Sequence, residues 1–286
     1  MIRHIVSDLD GTLLNSQFEW DQVIERGLYR LLEKGCDFAA ATGRTVEGVK
    51  SCQGLWEMPV YLILMNGALI LDPERKPVLR KEISRGTKEY FLRNYPYGNL
   101  EFITQEGTLT RLSRDTYVRE YSAWEMWRKK VLEKQESGFY DRYMARITFD
   151  CTEEEIRKAP VLKINGLELR DEPYGRMLSE LDGALTDAVN APFADHVIEI
   201  TDREASKAKA LLWLCAHLHW KKEEVAVFGD GGNDVEMLRM IPHSYAPADA
   251  SEEAKTAASE VLPSGREYAV LEKIRECGSG RFSAER

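Results

Sequence analysis

Residues 5–14 read Ile5-Val6-Ser7-Asp8-Leu9-Asp10-Gly11-Thr12-Leu13-Leu14. A short apolar run leads into two aspartates, two residues apart, and then into a glycine. Side chains at i and i+2 of a strand share a face, so Asp8 and Asp10 point the same way if the strand continues. Gly11 permits a sharp change of direction that a Cβ would resist. Two carboxylates held this close repel and shift one another's pKa unless a cation lies between them. The stretch reads as a strand end that carries a divalent metal or an acid/base pair.

Downstream, apolar residues at helical spacing (Val23, Ile24, Leu28, Leu31, Leu32) predict a helix over 20–34, stopped by Gly35. A small strand, Cys36 to Ala41, ends in Thr42-Gly43-Arg44. A helix is expected over 46–55, and then the continuous apolar run Val60 to Met65 ends in Asn66-Gly67. Continuous runs between helices read as buried parallel strands. Strand–helix–strand–helix–strand begins a doubly wound sheet. Ala68 to Leu71 and Val78 to Ile83 read as a hairpin around Asp72-Pro73-Glu74-Arg75.

The character changes after residue 81. Aromatics crowd the chain (Tyr90, Phe91, Tyr95, Tyr97, Phe102, Tyr117, Tyr121, Trp124, Trp127), with short alternating strands at 100–104 and 108–112 and a polar, mostly helical stretch over 114–136. Further strands are expected at 161–164 and 197–200, and a helix at 174–185. From Ser206 the first pattern resumes: a helix to His217, then the strand Val225 to Phe228 running into Gly229-Asp230-Gly231-Gly232-Asn233-Asp234. The expected fold class is α/β, a doubly wound parallel sheet with an inserted α+β domain. Residues 1–81 form the first core part, 82–190 the insertion, and 191–286 the second core part. The polar tail 278–286 is expected to fray.

Composition bounds the function. The chain has 286 residues, 43% hydrophobic and 30% charged, with a net charge of −9. It has ample apolar material for a core, and the acidic balance speaks against a nucleic-acid binder. Cys36, Cys52, Cys151, Cys215 and Cys277 are scattered, without a CxxC pair, so neither a zinc site nor a disulfide framework is signalled. The absence of a leader-like segment and of a membrane-length apolar run points to a cytoplasmic protein.

Polar residues cluster at four strand ends: Asp8 with Asp10, Thr42, Asn66, and Asp230 with Asn233 and Asp234. In an open parallel sheet, ligands bind outside the carboxyl ends of the strands, so these residues should meet in one crevice. Asp8, Asp230 and Asp234 make an all-oxygen set without His or Cys, which suits Mg²⁺. Lys207 brings a cation near a helix start. Thr42 and the Gly43 backbone can donate to an anion. The assembly suits phosphoryl transfer: one acid attacks phosphorus, cations hold the oxygens, and a second acid moves the proton. Asp8 and Asp10 are the pair for those two roles.

Asp8-Leu9-Asp10-Gly11-Thr12, Ala41-Thr42-Gly43-Arg44, Asn66-Gly67-Ala68, Ser206-Lys207 and Gly229-Asp230-Gly231-Gly232-Asn233-Asp234 follow in order. In this set the sequence resembles the haloacid dehalogenase superfamily of phosphatases, in its Cof-type branch with a large C2-type cap. The resemblance implies Asp8 as nucleophile and Asp10 as general acid/base. It implies that Thr42, Gly43, Lys207 and Asn233 attend the phosphoryl group. It places Mg²⁺ on the Asp8 carboxylate, the Asp10 carbonyl and Asp230, with Asp234 as a further ligand or an outer partner. Asn66 and Gly67 are expected near the substrate. Two positions depart from the family pattern: Ala208 follows Lys207 where glycine is usual, with Lys209 close by, and Asp249-Ala250 stands where Asn-Ala is usual.

Other readings attach to single residues. Asn233 and Asp234 also suit a helix N-cap. Arg44 is assigned to a surface or helix-start charge rather than to a substrate ligand, and the five histidines receive no role. The expected activity is Mg²⁺-dependent hydrolysis of a small phosphorylated metabolite through an aspartyl-phosphate. The cap would close over the site and choose the substrate, without nucleic-acid or membrane partners. A phosphomutase of the phosphomannomutase type is the nearest rival. A non-catalytic phospho-ligand sensor is the rival from another class, disfavoured because a binding module needs no nucleophile. Nothing in the tail bears on oligomeric state.

Overall fold

The computed structural model describes residues 1–96, 98–131, 139–192, 194–264 and 268–278. Tyr97, the last part of the stretch expected to be mostly helical (132–136) and the tail from residue 279 lie outside the described residues. The strands are, in chain order, β1 His4–Ser7, β2 Asp37–Ala41, β3 Tyr61–Leu64, β4 Leu69–Leu71 and β5 Pro77–Arg80. Then come β6 Asn99–Ile103, β7 Thr108–Leu109, β8 Ile147–Thr148, β9 Lys163–Leu167, β10 Ala188–Asn190 and β11 Val197–Asp202. The last three are β12 Val225–Phe228, β13 His243–Ala246 and β14 Glu260–Val261.

The chain forms two compact units. The first holds residues 1–44, 48–80 and 205–286. Its sheet has the order β14-β13-β12-β1-β2-β3-β4-β5. The pairs from β14 to β3 are parallel, and β4 and β5 add an antiparallel hairpin at one edge. The apolar runs explain the central position of β1 and β12: Ile5, Val6 and all four residues of β12 have no measurable exposure, as strands covered on both faces require. Val6, Ala39, Ala41 and Ile63 pack with the helix Lys207–Leu218 through Ala208, Leu211 and Leu214. The helix Gln22–Glu33 buries Ile24, Leu28 and Leu31, and Asp21 caps it by accepting from the Val23 and Ile24 amides. Successive crossovers run outward from β1 through β2 to β3, and outward on the other side from β12 through β13 to β14. The direction of winding therefore reverses between β1 and β12, which is where such sheets bind ligands.

The second unit holds residues 45–47 and 81–204. Its sheet, β10-β11-β9-β6-β7-β8, is antiparallel except for the β7–β8 pair. One face carries Leu100, Phe102, Ile164, Ile198 and Ile200 against Phe91 and Leu92 of the helix Arg85–Asn94 and Met177 and Leu181 of the helix Asp171–Ala184. The unit continues to Glu204 rather than ending near residue 190, because β10 and β11 hydrogen-bond into this sheet beside β9. Within the stretch expected to be mostly helical from 114, two helices form, Arg114–Ser122 and Glu125–Lys130. The break between them returns Trp127 to the aromatic cluster that Tyr117 and Tyr121 begin, 6.1 Å from the Tyr121 ring. Among the described residues no helix is long and apolar enough to cross a membrane.

Candidate active site

All the residues described in this subsection belong to the first unit. β1 ends at Ser7, and the Asp8 amide makes one more ladder bond, to the Phe228 carbonyl of β12 at 2.9 Å. The chain then turns through residues 9–13, anchored by buried Leu9 and Leu13 and closed by Leu14 N–H donating to Leu9 O. Gly11 lies at φ +78°, and a Cβ there would come to 2.4 Å from Asp230 Oδ2. The turn thus needs glycine twice, for its backbone and for the approach of β12's loop. Thr12 Oγ1 donates to Asp230 Oδ1 at 2.9 Å and ties the two loops together.

The loop after β12 is folded around Asp234. Its Oδ2 accepts from the Asp230 and Gly231 amides, both at 3.1 Å, and its Oδ1 accepts from Lys207 Nζ at 2.8 Å. Lys207 opens its helix just after the N-cap Ser206, whose hydroxyl accepts from the Lys209 amide. From there its Nζ also reaches Asp8 Oδ1 at 2.6 Å, and the lysine is 1% exposed. Ala208, where the family pattern has glycine, sends its methyl into the core beside the helix.

Three carboxylates meet in this pocket of charge. Asp8, Asp230 and Asp234 each offer an oxygen, and these atoms lie within 4.8 Å of one another. Against them Lys207 brings a single positive charge. Burial is the largest influence on Asp8 and pushes its carboxyl well above the ordinary range; Lys207 pulls it back, while Asp234 and Asp230 push it up again. Asp230 is raised as well, by burial first, with Thr12 opposing and Asp234 adding to the shift. Burial works against the Lys207 ammonium, yet Asp234 and Asp8 together lift it above its ordinary value, so it stays charged. A cluster of hard oxygens left short of positive charge is a fitting cradle for a divalent cation. Both Asp234 oxygens already carry partners, so Asp8 and Asp230 are the better placed to face such an ion. Asp234 serves from behind, holding the loop and the lysine.

The ends of β2 and β3 complete the edge. Thr42 is 1% exposed; its amide donates to Ile63 O, and its Oγ1 accepts from the Arg44 amide at 3.1 Å. Residues 65–67 all have positive φ (+50°, +54° and +98°). The turn is held by Met65 N–H on Arg44 O and Asn66 N–H on Thr42 O, both at 3.1 Å. Gly67 lets it close on the lysine's helix, since a Cβ there would lie 2.3 Å from the Ser206 carbonyl oxygen. Asn66 Oδ1 accepts from Asn233 Nδ2 at 3.0 Å, so the third strand end is joined to the loop after β12. Gly43 stands against the same amide, which a Cβ would approach to 3.1 Å. Asp249 is exposed.

Arg44 is the residue whose placement differs from the expectation. It is no surface charge. Its guanidinium grips Asp10 by two bonds, Nε to Oδ2 at 2.7 Å and Nη2 to Oδ1 at 2.6 Å, and its Nη1 lies 3.1 Å from Cys52 Sγ. Arg44 lies three residues past the end of β2 and Asp10 three residues past the end of the adjoining β1, and this matching offset brings the two side chains within reach. Thr12, quoted only as part of its motif, also proves to be a direct partner of Asp230.

Residues 5–274 match a family model described as haloacid dehalogenase-like hydrolase. The chain is similar to phosphatase YwpJ of Bacillus subtilis, 26% identical over 286 residues that cover 95% of this chain and 98% of the relative. It is similar to the HMP-PP phosphatase of Yersinia pseudotuberculosis, 24% identical over 273 residues and covering 93% and 91%. Among solved structures, a haloacid dehalogenase-like hydrolase from Bacteroides thetaiotaomicron superposes with a TM-score of 0.76 at 23% identity, covering 96% of this chain and 99% of that one, which speaks for the fold.

Proposed function

The chain belongs to the haloacid dehalogenase-like hydrolase family and is a phosphatase by kind, and we propose that it hydrolyses small phosphorylated metabolites through an aspartyl-phosphate on Asp8, with Mg²⁺ as cofactor. The carrying observation is the buried Lys207 bridging Asp8 and Asp234 beside Asp230, where the sheet's winding reverses. A nucleophilic carboxylate needs its charge retained yet kept from repelling the anionic ester, and this arrangement supplies a fixed cation on Asp8 Oδ1 and a metal cradle beside it.

In the first step an Asp8 oxygen forms a bond to phosphorus as the bond from phosphorus to the ester oxygen breaks. The electron pair of that bond leaves on the ester oxygen, and Asp10 supplies its proton. In the second step Asp10, now a carboxylate, takes a proton from water as the water oxygen attacks phosphorus. Inorganic phosphate departs and Asp8 is restored. Lys207 stabilises Asp8 and the phosphoryl oxygens next to it. Asp8, Asp230 and the Asp10 carbonyl would hold the Mg²⁺ ion, which when bound draws off charge from the phosphoryl oxygens. Thr42, Gly43 and Asn233 would contact the phosphoryl group, with Asn66 behind Asn233.

The relatives' names support a small substrate without choosing one. Five free, buried thiols suit a reducing, cytoplasmic setting. The test is phosphate release across a panel of sugar phosphates, nucleotides and phosphorylated cofactors with Mg²⁺, for the wild type and Asp8→Asn. Turnover by the wild type and none by a folded Asp8→Asn variant is the expected result. Undiminished turnover in the variant would overturn the covalent mechanism, and a wild type inert on the whole panel would overturn the activity.

A further inference from the structure

The bidentate pair between Arg44 and Asp10 goes beyond what nucleophile, lysine and metal cradle require. We propose that Arg44 is a positioning residue for the proton-transfer step, holding the Asp10 carboxyl group in the one orientation from which it serves the leaving oxygen and the attacking water. The inference rests on the phosphatase reading of the site.

Asp10 needs such a hold. It lies on the turn beyond β1, flanked by Gly11, and its side chain is 43% exposed. A carboxyl group on an exposed turn samples several rotamers, whereas proton transfer requires hydrogen-bond reach in a defined direction. Two parallel N–H···O bonds to a planar guanidinium fix both the position of the carboxyl and the plane in which it lies. Arg44 can do this because it is itself held. Its Nη1 points back to the Gly48 carbonyl at 3.5 Å and Cys52 Sγ at 3.1 Å. Its amide donates to Thr42 Oγ1, and its carbonyl accepts from the Met65 amide. The guanidinium is thus a fixed bracket, built on the ends of β2 and β3 and reaching across to the turn after β1. An arginine with a substrate-binding role would keep its two best donors for the ligand, but here both are spent on Asp10. Lysine has a single point of donation and no plane to impose.

A double-mutant cycle tests this, using p-nitrophenyl phosphate with Mg²⁺ and comparing wild type, Arg44→Ala, Asp10→Asn and the double variant. Arg44→Ala is expected to lower kcat by about 10²-fold, the scale of positioned acid–base catalysis, with KM changed by less than about threefold. In the Asp10→Asn background the same substitution should cost less than about threefold, because its effect passes through Asp10. Arg44→Lys should recover only part of kcat, and it serves as the cycle's arginine variant if Arg44→Ala does not fold. Additive losses, a loss expressed in KM, or a rise in kcat would each overturn the inference while leaving the phosphatase reading standing. A wild type that does not release phosphate from this ester or any other would remove both.

Discussion

Lys207 Nζ stands 2.6 Å from Asp8 Oδ1, and both side chains are almost wholly buried. The pair joins a helix start to the end of β1 across 199 positions of sequence. Replacing the lysine by methionine keeps most of its length and removes the charge. Lys207→Met is expected to lower kcat about 10²- to 10³-fold, the usual effect of deleting one fixed donor at a developing charge. Steady-state kinetics of a variant shown folded by circular dichroism measures this. Wild-type turnover would reduce Lys207 to a structural partner of Asp234.

The same cluster predicts how metal and pH act on stability. In the metal-free protein Asp8 titrates above its unfolded value, so between the two the folded state binds more protons than the unfolded state. Stability then falls as pH rises from about 3.9 through the folded value. The raised Lys207 acts in the opposite range, near and above about 10, and does not interfere at neutral pH. Mg²⁺ favours the ionised carboxylates and should oppose the loss. Thermal melts in EDTA should show a midpoint that declines as pH rises above about 4, with Mg²⁺ at about 100 times its Kd restoring about 2.7 kcal/mol at pH 7. A midpoint insensitive to Mg²⁺ would remove the cation from the site.

Gly67 presses on the Ser206 carbonyl, and a Cβ would enter to 2.3 Å of its oxygen at a φ of +98°. Backbone cannot move aside as a side chain can. Gly67→Ala should destabilise by about 2–3 kcal/mol and also lower activity, since the displaced helix start carries Lys207. Chemical denaturation together with kcat checks both effects. A variant as stable and active as the wild type would show that the loop closes by another path.

In the second unit Lys163 Nζ and Glu199 Oε2 form a 2.9 Å pair with side chains 4% and 3% exposed. Buried pairs contribute little net stability, but removing one of the two charges is costly. Lys163→Met should destabilise by about 3–5 kcal/mol, and Lys163→Met with Glu199→Leu should regain most of it. Urea denaturation of both variants decides between this and a double variant as unstable as the single one, which would mean that the pair makes a large net contribution.

Much of the fold was legible because its signals are local. The apolar runs ending in Asp8, Thr42, Asn66 and Asp230 could be read as parallel strands, and strand ends of such a sheet share an edge. The end of the second unit was less legible: Val197, Ile198 and Ile200 mark a strand without saying which sheet takes it, and only its pairing with β9 assigns it to the second unit's sheet. Arg44 misled for a related reason, because a charged residue at a helix start looks the same from sequence whether it faces water or a carboxylate.

The sequence by itself determined the chemistry on offer: carboxylates at two strand ends, a lysine at a helix start, and glycines where the backbone must turn. Those properties belong to residue types and their immediate neighbours. Only the tertiary structure decided how the acids share the work. Asp234, equal to Asp230 in sequence terms, has its oxygens taken by the loop amides and Lys207. Asp10, the neighbour of Asp8, faces Arg44 rather than the lysine. Identical side chains differ here through the partners that folding brings within 3 Å or so, and partners distant along the chain leave no mark on local pattern.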